Sequence, residues 1–192
     1  MGAFDELPEY FAKDLKDWRR WLKRHHASSP GVWLIFYRKG SDVQGVDYVE
    51  AVEEALCWGW IDSLRQKIDD TRYRQTFCPR KPKSIWSAVN KTRIERLIAV
   101  GRMQPAGLAK IEAAKADGSW ATYDAVENHE IPADLQAAFD ARPALALAYR
   151  DLSPSKRKMI LSWLATAKRE ATRQERIRRM RDSLIAGKLP FS

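Results

Sequence analysis

Histidine, cysteine and long apolar runs are scarce in this chain, and each scarcity removes a class of function. Three histidines, two of them adjacent (His25, His26) and one alone (His129), cannot easily supply the three or four ligands of a zinc site. The two cysteines, Cys57 and Cys78, do not complete such a set: Cys57 reads as the buried side of a helix and Cys78 as a strand residue before Pro79. Cys57 falls in the last turn of that helix, where the dipole disfavours a thiolate, so a structural thiol is expected rather than a nucleophile. No Gly-rich phosphate loop, Gly-x-Ser-x-Gly or Cys-x-x-Cys is present, so enzyme signatures are weak and no metal or cofactor is expected. No apolar run approaches the ~20 residues of a membrane span. Met1–Gly2–Ala3–Phe4 runs into Asp5 and Glu6 without the apolar stretch of a signal peptide. With two cysteines and no export signal, a reducing cytoplasm and free thiols are expected.

What the chain has instead is segregated charge. Its net charge of +9 over 192 residues is concentrated in two segments. Eight basic residues and one acid, Glu95, lie between Arg72 and Arg96. Eleven basic residues face three acids between Lys156 and Lys188, while 1–70 and 99–152 are each net −3. Charge gathered this way suits a surface that meets anions better than charge spread for solubility. Eight tryptophans are a heavy load for this length, and indoles need a core or a flat ligand to cover them. A hydrophobic content of 45% argues against disorder.

Periodicity places the elements. Phe11, Leu15, Trp18 and Leu22 give an amphipathic helix from Pro8 to about His26. Gly31 to Arg38 is apolar on both faces and reads as a central strand. Asp47 can cap a helix that buries Tyr48, Val52, Ala55 and Leu56 and stops at Gly59. Trp60–Lys67 and Arg72–Pro79 then flank Ile68–Asp69–Asp70–Thr71 as a hairpin. After Ser84 the pattern is helical to the end, with starts near Asn90, Pro105, Pro132, Pro143 and Pro154. The expected fold is α+β: a small three-stranded sheet with packed helices in order α-β-α-β-β, followed by an all-helical C-terminal part. The expected division is an α+β domain over 1–118, a linker over 119–132 and a helical part over 133–192 ending in a basic helix.

The string Glu53–Glu54–Ala55–Leu56–Cys57–Trp58–Gly59–Trp60–Ile61–Asp62, with Phe77–Cys78–Pro79–Arg80–Lys81 and Ser84–Ile85–Trp86, carries a resemblance. It continues at Asn90, Arg93, Gly101 and Met103, and resumes at Ser153–Pro154–Ser155, Ala167–Lys168–Arg169, Thr172–Arg173 and Arg176–Ile177. Over roughly Trp18 to Gly187 the chain resembles the YdeI/OmpD-associated, or bacteriocin-protection, proteins of bacteria, with Trp58 where Phe is expected as often. The resemblance implies a link to envelope stress. It supplies no catalytic residue.

Read as chemistry, an even-length turn would pair Lys67 with Arg72 and Arg65 with Arg74. All four charges would then share one face, either solvated or relieved by an anion or by acids from elsewhere in the fold. The following Pro79–Arg80–Lys81–Pro82–Lys83 is a stiff basic loop, and Ser84 and Trp86 add a hydroxyl and a stacking face. For Trp86 alone, a place in the core is the better expectation. For Asp62, at the start of a strand, it is an ion pair with Arg74, Arg80 or Arg93. The expected site is an Arg/Trp-lined pocket for an anionic small molecule or phosphate-bearing ligand. It would be built from Trp60, Asp62, Arg74, Arg80, Lys81, Ser84, Trp86 and Arg93, with Lys168, Arg169 and Arg173 reaching the same anion. The competing expectation is sequence-independent nucleic-acid binding through 72–96 and 156–188.

Overall fold

The computed structural model describes residues 6–38, 40–167 and 169–191. The fold is α+β, with four strands rather than the expected three. They are β1 (Glu9–Tyr10), β2 (Val32–Tyr37), β3 (Trp60–Lys67) and β4 (Arg72–Pro79), in sheet order β1-β2-β4-β3. The added strand takes the place of the first turns of the expected N-terminal helix. Glu9 and Tyr10 pair in parallel with Trp33 and Leu34, and Trp33 N–H donates to the Pro8 carbonyl. Two residues are too short a run to show a period, so only the helix pattern around them was visible.

Helix α1 therefore begins later and spans Leu15–His25, its N-terminus capped by Asp14, which accepts from Asp17 N–H at 2.7 Å. Helix α2 (Tyr48–Cys57) is capped by Asp47, as its sequence predicts: one carboxylate oxygen accepts from Val49 N–H at 2.7 Å. Both helices cover one face of the sheet. Trp18 meets Phe77 edge-on and donates its indole N–H to the Ala51 carbonyl, which ties α1 to α2 across the same core. Trp60 donates to the His26 carbonyl, so both buried indoles are satisfied.

Two further helices, α3 (Ala88–Ala99) and α4 (Pro105–Ala116), follow. Helix α4 approaches the C-terminal end of α2 so closely that Gly107 leaves no room for a side chain. A Cβ there would lie 2.2 Å from the Cys57 carbonyl oxygen. The chain divides into two compact units, Met1–Ser84 with Val89–Gly118, and Ile85–Ala88 with Ser119–Ser192.

The second unit holds α5 (Asp124–Glu127), α6 (Ala133–Ala141), α7 (Pro143–Arg150), α8 (Pro154–Ala165) and α9 (Glu170–Ile185). Its core is built from one stripe of each, with Leu135, Leu145, Ile160, Leu164 and Met180 fully enclosed. Residues 119–132, expected as a linker, include α5, and Val126 is buried in this core. Ile177, Met180 and Leu184 of α9 are buried in it too, so the apolar side of the basic helix packs on protein.

Candidate functional site

The hairpin fixes the chemistry of the first unit, and its register differs from the even-turn expectation. Lys67 lies opposite Tyr73, Gln66 opposite Arg74 and Arg65 opposite Gln75. The cause is Asp69. Its carboxylate accepts from Thr71 N–H, Thr71 Oγ1 and Arg72 N–H at 2.8–2.9 Å, while Ile68 and Asp69 donate to the Arg72 carbonyl. This side-chain-closed turn draws Arg72 in and shifts the pairing by one residue. Bonds from the Thr71 hydroxyl first and the Arg72 guanidinium second hold the Asp69 carboxyl below the usual carboxylate range. A second irregularity between Asp62 and Arg65 returns the strand to its partner. The expected four-charge face therefore does not form. Arg65 and Lys67 share a face with Tyr73, while Arg72 and Arg74 point to the other.

On that other face Arg74 is fully engaged. Its guanidinium lies 4.4 Å over the Trp33 ring, pairs with Glu9 and donates to the Gln66 side-chain oxygen. Trp60 is in the core, against Trp21. Asp62 accepts from the Tyr48 hydroxyl at 2.7 Å and from the Gln75 amide at 3.1 Å, rather than pairing directly with an arginine. Arg93 donates to the Asn90 side chain. Arg80 is 3% exposed, and burial pulls its guanidinium down to about 10, against the field of Asp62. Lys81 is exposed and Ser84 half-buried, its N–H donating to the Lys81 carbonyl.

Trp86 belongs to the second unit, buried and packed on Trp120 at 5.1 Å. Also in that unit, Arg173 forks onto Asp134, which is held below the usual carboxylate range by that bond, and donates to the Leu164 carbonyl. Arg169 stands at the N-cap of α9. Lys168 lies outside the described residues.

The sheet face that carries Arg65 opens into a cleft of about 640 Å³. Its floor is a cross-strand ladder: Phe36 on β2 stacks on Tyr73 on β4 at 5.2 Å, and Arg65 on β3 lies 3.9 Å over the same tyrosine ring. Tyr37, Arg38, the 40–46 loop and Tyr48 form the walls. Tyr48 is pushed above the ordinary phenol value, first by burial and then by its bond to Asp62, so it stays a neutral donor. Neither the Arg38 nor the Arg65 side chain has a carboxylate partner among the described residues. Asp47, the one acid in the lining, is committed to the α2 cap. Such an arrangement can bind an anion between two cations over an aromatic floor. The sequence signal was weak: Arg38 merely ends an apolar strand, and Arg65 meets Tyr73 only after the register shift.

No group of three or more His, Cys, Asp or Glu that could hold a metal occurs among the described residues. No helix there is long and apolar enough to cross a membrane. Comparison with known proteins divides the chain much as the fold does. The family model described as Domain of unknown function (DUF8412) matches residues 10–110. The model described as Bacteriocin-protection, YdeI or OmpD-Associated matches residues 128–187. The resemblance read over Trp18 to Gly187 is thus matched in its C-terminal part, while the Glu53–Trp86 string falls under the other model. No curated protein and no solved structure matches. Over residues 10–110, more than half its length, the chain belongs to the family of Domain of unknown function (DUF8412), and residues 128–187 are similar to the Bacteriocin-protection, YdeI or OmpD-Associated family.

Proposed function

We propose that this protein is a binding module for a small anionic molecule, and that the cleft over the Phe36–Tyr73–Arg65 ladder is its site. The observation that carries this is the pair Arg38 and Arg65, two cations without a carboxylate partner among the described residues, lining one aromatic cleft. A guanidinium stacked on a ring keeps its in-plane N–H donors free, the geometry that takes a carboxylate or phosphate by two parallel bonds. Tyr48 adds a neutral hydroxyl, and Asp62 orients it. Of the residues expected from sequence, Asp62 serves the site through Tyr48. Arg74, Trp60 and Arg93 hold the surrounding structure. The description of the family matched over 128–187 supports bacteriocin protection as the context in which such a ligand is met.

Nucleic-acid binding is the weaker alternative. In the basic helix α9, Arg173, Arg178 and Arg181 each pair with a carboxylate, and Arg176 donates to the Trp163 carbonyl and the Thr166 hydroxyl. The cations left for phosphates are fewer than the raw charge suggests.

The test is a screen of inorganic phosphate and nucleotides by calorimetry, with wild type and the Arg38→Glu/Arg65→Glu variant. Binding lost in the variant supports the cleft. Equal binding by both proteins removes it. Binding to DNA or RNA of any sequence, with affinity falling by orders of magnitude from low to moderate salt, would favour the alternative.

A further inference from the structure

The helical unit carries a second cavity, of about 700 Å³, within the roughly 300–1,000 Å³ typical of small-molecule sites. It lies against α6 and α7, with His129 after α5 and Arg157 on α8 completing the wall. Ile131, Phe139, Pro143, Ala146 and Leu147 give it an apolar wall. The polar groups in the rest of the wall are distinctive. Tyr149 is 4% exposed, and its hydroxyl has no hydrogen-bond partner among the described residues. The same holds for the buried His129 Nδ1 and Arg157 Nε. Buried polar atoms are nearly always paired, so three orphans among the lining residues of one cavity call for an explanation.

Charge points to what would satisfy them. Arg150 and Arg157 both line the cavity, and neither side chain has a carboxylate partner among the described residues. Asp140, the one acid in the wall, already accepts from Gln136 at 2.8 Å. Arg157 also stands close enough to Tyr149 to oppose the rise that burial imposes on the phenol. His129 is held at φ 56, a left-handed conformation that is costly for a side chain with a Cβ, so the backbone is strained where it meets the cavity. A pocket with an apolar wall and two guanidinium groups that have no carboxylate partner among the described residues suits an amphipathic anion better than a bare ion or a neutral oil.

We infer that this cavity binds a small organic carboxylate, its aromatic or short aliphatic body against Phe139 and Leu147 and its head group on Arg150 and Arg157. The Tyr149 hydroxyl, buried and without a partner among the described residues, is the neutral donor in the same wall. This site is independent of the cleft on the sheet.

Calorimetry or ligand-observed NMR with benzoate and octanoate on the full chain tests it, with benzamide as the uncharged isostere of benzoate. Wild type should bind at least one carboxylate, and any binding of benzamide should be at least tenfold weaker than that of benzoate. Arg157→Gln should lower carboxylate affinity tenfold or more. Tyr149→Phe should lower it severalfold while leaving the unliganded protein as stable as before, or more so. The Arg38→Glu/Arg65→Glu variant should bind these probes as wild type does, which separates this site from the cleft. Absence of binding by both carboxylates at millimolar concentration overturns the inference, as does benzamide binding equal to benzoate. Tyr149→Phe stabilising a protein that takes neither carboxylate would show the cavity to be merely hydrated.

Discussion

Arg19 and Glu54, 35 residues apart, are joined by two parallel hydrogen bonds of 2.9 and 2.8 Å, with the carboxylate 2% exposed beneath the guanidinium. Arg102 adds a third donor at 2.9 Å and the Trp58 indole a fourth at 3.1 Å. Glu54 thus joins α1, α2 and the segment before α4 through one buried charge. Removing it strands cations that were placed around it. Glu54→Ala is expected to cost about 3–5 kcal/mol in urea denaturation, as breaking a buried pair does, and Glu54→Gln less because it keeps an acceptor. Arg19→Ala should cost less than Glu54→Ala, since Arg19 is half exposed and Arg102 still holds the carboxylate. Equal losses for the two alanine variants would show that the pair, not the hub, carries the effect.

The same hub sets an acid limit on stability. Burial raises the Glu54 carboxyl, but the bonds from Arg19 and Arg102 outweigh it and hold it below its ordinary value. A depressed carboxyl contributes stability that is fully present above the unfolded value, near 4.3, and is lost as pH falls through the folded one. Wild type should therefore lose stability steeply below about pH 4. Glu54→Gln, which has no proton to take up there, should show a shallower fall. Parallel pH profiles from thermal denaturation would remove Glu54 from this role.

Most of the fold was legible because periodicity survives in a single sequence. The Asp47 cap, the both-faces apolar β2 and the hairpin were all readable from residue type and spacing. Strand β1 was not, because two residues carry no period and its pairing is set by Trp33 and Leu34 elsewhere in the chain. The cleft was illegible for a subtler reason. Asp69 shifts the register by one, and a one-residue slip exchanges the faces of a strand, so Arg65 comes to lie over Tyr73 rather than beside Arg74. The string of tryptophans and basic residues drew attention to Arg80 and Trp86, both of which are buried. In the helical unit, the cavity depends on which arginines find carboxylates, a three-dimensional fact that composition does not record.

Gly107 makes the seat of α4 on α2 testable. A Cβ there would meet the Cys57 carbonyl oxygen at 2.2 Å, the Cys57 carbonyl carbon at 2.8 Å and the Leu56 oxygen at 2.9 Å, all backbone atoms that cannot rotate away. That Cys57 carbonyl also accepts from Gln104 N–H at 3.1 Å, so pushing the helices apart costs this bond too. In an exposed helix Gly→Ala is stabilising by up to ~1 kcal/mol, whereas here overpacking should make Gly107→Ala destabilising by roughly 1–3 kcal/mol. A variant as stable as wild type in equilibrium denaturation would show that α4 is not seated this closely.

Cys57 offers the sharpest check on the expectation that neither thiol is reactive. It is the last residue of α2, wholly buried, and burial first and the Glu54 charge second push its thiol up to about 12. The helix C-terminus adds to the disfavour of a thiolate. Cys78, on β4 and half-buried, is raised by burial against the opposing fields of Lys81 and Arg80. Since the thiolate is the reactive form, neither residue should alkylate readily in the folded protein at pH 8, and Cys57 least of all. Both should react at the rate of ordinary thiols once the chain is unfolded in guanidinium. Mass spectrometry of iodoacetamide-treated protein across pH 6–10 reads the outcome site by site. A native Cys57 that labels fast at pH 7, with a midpoint below the ordinary ~8.5, would mean an activated thiol and a catalytic role after all.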